Sequence, residues 1–136
     1  MSRHLQQEIE KLQTKLLELV ATAKDAVEKA VKSVDDRDAK LAQAVVDGDV
    51  EIDRAEVNLE EDCLKILALY QPVATDLRLI VSVMKINNDI ERIGDLAVNI
   101  AERTLFLCTK PPVEAPSDLA DMRAKALAML TGSLDS

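Results

Sequence analysis

The 136-residue chain has no tryptophan, one tyrosine (Tyr70), one phenylalanine (Phe106), three glycines and four prolines. A β-sandwich or barrel wants aromatic-rich strands and frequent turn residues, so this poverty argues against both and leaves helices as the default. Positive charge is also short: 17 Lys plus Arg face 25 Asp plus Glu, a net charge of −8. An acidic chain without aromatic platforms repels phosphate backbones and gives bases nothing to stack on, which sets nucleic-acid binding aside. No stretch approaches ~18 uncharged apolar residues, and MSRHLQQEIEKLQ lacks the apolar core of a secretion signal. The expectation is a soluble, cytoplasmic protein with no direct membrane insertion. Cys63 and Cys108 fit a reduced compartment, since they match neither a disulfide framework nor C-x-x-C. The sole histidine, His4, lies near the N-terminus. Ser-His-Asp, Cys-His and Glu-x-x-His arrangements are therefore missing, and no Gly-rich phosphate loop occurs, so no catalytic machinery is expected.

What the chain does have is apolar residues, 48% of it, at helical spacing. Leu5, Ile9, Leu12, Leu16, Leu19, Ala23, Val27, Ala30 and Val34 alternate steps of four and three. Such steps predict a long helix that packs nearly parallel to similar helices. Asp35-Asp36-Arg37-Asp38 breaks the pattern and offers N-cap carboxylates to a second helix, with Leu41, Val45, Ile52, Leu59, Ile66 and Leu69 inward and a kink expected at Gly48. Gln71-Pro72 ends it near Tyr70, and Thr75 or Asp76 is the expected cap of a third. The third helix carries Leu79, Val83, Ile86, Ile90, Ile93, Ala97, Ile100, Thr104 and Leu107. The fold class is thus all-α, an up-down bundle of three long helices spanning residues 1–107. Three of the four prolines lie in a linker over 108–116. From 117 to 136 a short fourth helix follows, capped by Ser117, with Leu119, Met122, Ala126, Met129 and Leu130 inward.

The acids are not spread evenly. Asp49, Asp53, Glu56 and Glu60 fall at i, i+4, i+7 and i+11 with no base among them, and Glu91, Asp95 and Glu102 share a stripe with Asn88 and Asn99. Like charges at this spacing cost a helix a few tenths of a kcal/mol per pair, so the stripes ask for a reason. One is a hard cation taken up by carboxylate oxygens from adjacent helices. Another is a solvated face neutralised by Arg78 and Arg92. Gly94, inside a strongly periodic helix, marks a close approach of another helix or of a ligand. Cys63, between Leu59 and Ile66, reads as a core filler.

The segment Gln71-Pro72-Val73-Ala74-Thr75-Asp76-Leu77-Arg78-Leu79 and the later Glu91-Arg92-Ile93-Gly94-Asp95 closely resemble the QP-x-A-x-DLR and ERIGD signatures of the PhoU family. The resemblance reaches back to Gly48-Asp49 and Ile52-Asp53 and covers one three-helix repeat. Family members typically carry two repeats, and the segment from Ser117 looks like the opening of a second. The resemblance implies a cytoplasmic negative regulator of phosphate uptake and phosphate-starvation signalling. Its implied partners are the sensor histidine kinase of the phosphate two-component system and the ATPase of the phosphate transporter. It also implies metal binding, by a divalent or iron-type ion, through paired E(D)-x-x-x-D motifs, which fall here on Asp49 with Asp53 and on Glu91 with Asp95. Glu56, Glu60, Asn99 and Glu102 are the additional candidate ligands or their supports. The competing reading is a metal-free helical interaction domain of a phosphate transporter. An uncovered apolar edge further suggests a homodimer or swapped assembly.

Overall fold

Three apolar stripes bury themselves best against one another, and the chain does this in an up-down-up bundle. A computed structural model describes residues 3–110 and 117–135, with side chains of the last helix described at 121–132. Its elements are α1 (Arg3–Asp36), α2 (Ala39–Tyr70), α3 (Ala74–Leu107) and α4 (Ser117–Asp135), and no strand occurs among the described residues. The first three are 34, 32 and 34 residues long and each packs against the other two. At 1.5 Å per residue they make a rod about 50 Å long.

Leu5, Ile9, Leu12, Leu19, Ala23, Val27 and Ala30 line the core from α1, Val45, Ile52, Leu59 and Ile66 from α2, and Val83, Ile90, Ile93, Ala97 and Ile100 from α3. The expected stripes need correction at their edges. Leu16 and Val34 are only half-buried in α1, Leu41 is half-buried in α2, and Leu69 is exposed; Ala42 takes an inner place instead, and Cys63 is buried as expected of a core filler. In α3, Leu79, Ile86 and Leu107 sit at the margin while Ile80 and Asn87 are buried. A helix pressed from two sides buries a face wider than one stripe, so Ile80, Asn87, Gly94 and Ala101 form a second buried column at seven-residue intervals. α2 runs unbroken through Gly48.

Both turns are tight. Asp38 N–H donates to Ser33 O at 2.9 Å and Arg37 N–H to Val34 O at 3.3 Å, the paired bonds of a Schellman ending, with Arg37 left-handed at φ 51°. Asp38 then caps α2, accepting from Leu41 N–H at 3.0 Å. The Arg37 guanidinium reaches across to Leu107 O (2.6 Å) and Lys110 O (3.2 Å), so the first turn also caps the end of α3. At the second turn Gln71 is left-handed and Pro72 is buried. The expected cap at Thr75 or Asp76 is not used: Val73 holds the N-cap position without a side-chain bond, and Asp76 lies in the first turn, where its charge suits the helix dipole.

Residues 108–110 continue from α3 in turns, and the rest of the expected 108–116 linker lies outside the described residues. The expected caps and contacts of Ser117 and Leu119 also fall on side chains outside the described set. α4 packs along α3 and touches α1, burying Ala126 and Leu130, half-burying Met122 and Met129, and pairing Arg123 with Asp35. No described helix is long and apolar enough to cross a membrane.

Candidate acidic site between the second and third helices

α2 has two flanks because it packs against two helices. Toward α1 some of its charges are compensated: Lys15 Nζ donates to Asp62 Oδ2 at 2.5 Å and to Asn58 Oδ1 at 3.0 Å. Toward α3 they are not. Asp49 and Glu56 share a column with the buried Ala42 and Cys63, seven residues apart, which carries them into the helix contact. Glu56 is only 6% exposed, and its Oε1 has no hydrogen-bond partner.

α3 meets these two carboxylates at Gly94. A Cβ there would lie 3.4 Å from Asp49 Oδ1, 3.9 Å from Glu56 Oε1 and 3.9 Å from the Ile52 side chain, so the two carboxylate oxygens converge on a bare stretch of α3 backbone. Two turns earlier, buried Asn87 Nδ2 donates to Glu56 O at 3.0 Å, while its own Oδ1 stays unpartnered. Two unpartnered oxygens at one helix contact is unusual, since buried polar atoms normally find donors.

The electrostatics match the geometry. Burial first, then the charges of Asp53, Glu91, Asp49 and Asp95, push the Glu56 carboxyl up to about 7. Burial, then Asp53 and Asp95, likewise raise that of Asp49. Charges on both α2 and α3 thus act on the two inner carboxyls, and Asp49, Asp53, Glu56, Glu91 and Asp95 form one acidic group. Asp49 is half-buried, whereas Asp53, Glu91 and Asp95 are exposed at its rim. Arg78 and Arg92 are exposed and neither forms an ion pair with the group, so neutralisation by those arginines is not what the structure shows.

The remaining sequence candidates lie elsewhere. Glu60 is exposed one turn beyond, beside Cys63, whose thiol is pushed up to about 11 by burial, Asp62 and Glu60 and is thus a poor nucleophile. Asn99 and Glu102 border a hollow with Arg103 and Met122, between α3 and α4. Asn87 carries no charge to mark it in the sequence; its signal is the seven-residue column it shares with Ile80 and Gly94.

A set of carboxylate oxygens placed in this way can attract a hard cation or a Lys or Arg side chain. Among the described residues no group of three or more His, Cys, Asp or Glu side chains is placed to hold a metal ion.

A PhoU domain model matches residues 16–104. The PhoU homolog of Aquifex aeolicus, named a phosphate-specific transport system accessory protein, is 39% identical over 107 residues, 79% of this chain and 48% of that protein. The Pseudomonas putida homolog of the same name is 38% identical over 122 residues, 90% of this chain and 47% of that one. The crystal structure of PhoU from Pseudomonas aeruginosa superposes with a TM-score of 0.82 at 36% identity, covering 95% of this chain and 61% of that one. The chain therefore spans about half the length of the curated relatives it matches. Their names describe accessory proteins rather than enzymes. The matched domain contains α2, most of α3 and the whole acidic group, and the chain belongs to the PhoU family.

Proposed function

We propose that this chain works as a regulatory module of a phosphate-specific transport system, restraining phosphate uptake and starvation signalling by docking on the transporter ATPase and the sensor kinase, and holding a cation in its α2–α3 seam. The observation that carries the cation reading is the convergence of Asp49 and Glu56 oxygens on Gly94, with Glu56 Oε1 lacking any donor. The donor set suits a hard ion such as Mg²⁺ or Mn²⁺, or iron. Asp49 with Asp53 and Glu91 with Asp95 would hold it from the two helices, Glu56 facing it from within. The three rim carboxylates are exposed and free to change rotamer, which is how the open arrangement would close on an ion. Its role would be structural and electrostatic, drawing α2 to α3 and cancelling repulsion that costs stability.

Support for the transport role comes from relatives named as accessory proteins of phosphate-specific transport. In cells lacking their own family member, this chain should lower a phosphate-starvation reporter at high phosphate, and Asp53→Asn with Asp95→Asn should weaken that repression. Elemental analysis of the purified protein checks the ion separately. Repression without bound metal would remove the cation reading and keep the docking one.

A further inference from the structure

A three-helix bundle has three outer grooves, and here they differ in lining. α4 fills the groove between α1 and α3. The groove between α1 and α2, about 450 Å³, mixes Lys15 and Lys29 with Glu18, Asp25 and Glu51. The third, between α2 and α3, has no helix over it among the described residues and is organised along its length. Near the α2–α3 turn it exposes Leu64, Leu77 and Val81, which are 50%, 39% and 44% accessible. Its middle carries Asp53, Glu91 and Asp95 at the rim and the unpartnered Glu56 oxygen beneath. On the outer side of α2, Val50 and Val57 (54% and 55% accessible) precede Leu64 at seven-residue intervals, with Asp53 and Glu60 three residues after each valine. That is a second heptad seam, turned away from the core that α2 already fills with Val45, Ile52, Leu59 and Ile66.

We propose that the α2–α3 groove is a docking surface for an amphipathic helix of a partner protein, whose apolar residues sit against Leu64, Leu77 and Val81 and whose Lys or Arg side chains meet the central carboxylates. Charge complementarity selects this occupant. The centre of the groove is acidic without a base of its own, so an acidic or neutral helix would leave its carboxylates uncompensated. A second copy of this chain would set one acidic groove against another at a net charge of −8 each. α4 shows that the bundle accepts a helix in an outer groove through a few small and medium apolar residues, Ala126 and Leu130 being its buried contacts. A bound cation and the Lys or Arg nitrogens of such a helix compete for the same oxygens, so the docking surface is that of the metal-free chain.

The test uses a fluorescein-labelled synthetic helix of about 20 residues, long enough to lie along the acidic centre and reach the apolar end, with Leu at heptad positions and Lys in its central turns. Anisotropy is measured in chelator at physiological ionic strength. Saturable binding is expected, weakened about tenfold by Leu64→Ser with Leu77→Ser and by Asp53→Asn with Glu91→Gln. A probe with its Lys replaced by Glu should not bind. Equal affinity of wild type and the Leu64→Ser, Leu77→Ser variant would reduce the attraction to bulk charge and overturn the proposal. So would equal binding of a probe whose Leu residues are replaced by Ser, a comparison that needs no protein variant.

Discussion

The two flanks of α2 solve opposite problems. Toward α1, Lys15 answers Asp62 and Asn58, and Gly48 faces open space with nothing within 4 Å of where a Cβ would lie. Toward α3, five carboxylates repel one another and Gly94 lies against two of them. Two glycines in long helices thus have different meanings. Gly48 is a place where the helix is weaker than it need be, whereas Gly94 lies where α3 meets Asp49 and Glu56, with room for a methyl group but not for a larger side chain. Charge kept uncompensated at a close helix contact lowers stability, and such sites belong to binding rather than to folding.

The contrast can be broken most strongly through pH. The folded state raises the Glu56 carboxyl from its ordinary 4.5 to about 7, so it holds that proton more tightly than the unfolded chain does. Below about pH 4.5 both states are protonated and Glu56 costs nothing; stability then falls as pH rises toward 7 and levels off above it. The full loss is of order 3 kcal/mol in the absence of a cation. Asp49, shifted the same way, adds to the slope. Urea unfolding across this range should show the decline, and Glu56→Gln should flatten it.

Next in size is Gly94→Leu. Its side chain would have to displace Asp49 and Glu56, at about 2 kcal/mol, with a lower urea midpoint as the readout. Gly48→Ala should act in the opposite direction, raising stability by about 1 kcal/mol through helix propensity alone, because nothing obstructs its Cβ. The smallest effect belongs to the compensated flank: Lys15→Ala removes a half-exposed pair and should cost under about 1 kcal/mol. If Lys15→Ala proved as damaging as Gly94→Leu, the distinction between the flanks would be lost.

Periodicity made the helices legible, since alternating steps of four and three fix both the faces and their near-parallel packing. The capping role of Asp38 was legible for the same local reason. Edges were harder: Leu69 looked inward by spacing yet is exposed, and Ile80 and Asn87 are buried because α3 is squeezed from two sides. The cap of α3 was misplaced because Val73 fills that position by backbone conformation alone. At the site, the four motif acids could be read from the chain. Which acid is buried could not, because Glu56 is distinguished from Glu60 only by its register against Gly94, a property of two helices together.

The most direct measurement is thermal unfolding of the intact chain, slightly above pH 7, with and without Mn²⁺. An ion seated among the five carboxylates should raise the melting temperature, reversibly with chelator, by an amount equivalent to about 2.7 kcal/mol at a hundred times its Kd. The rise should vanish in Asp53→Asn with Glu91→Gln. An unshifted wild type, or an equal shift in that variant, would contradict the assignment of the α2–α3 seam as the cation site.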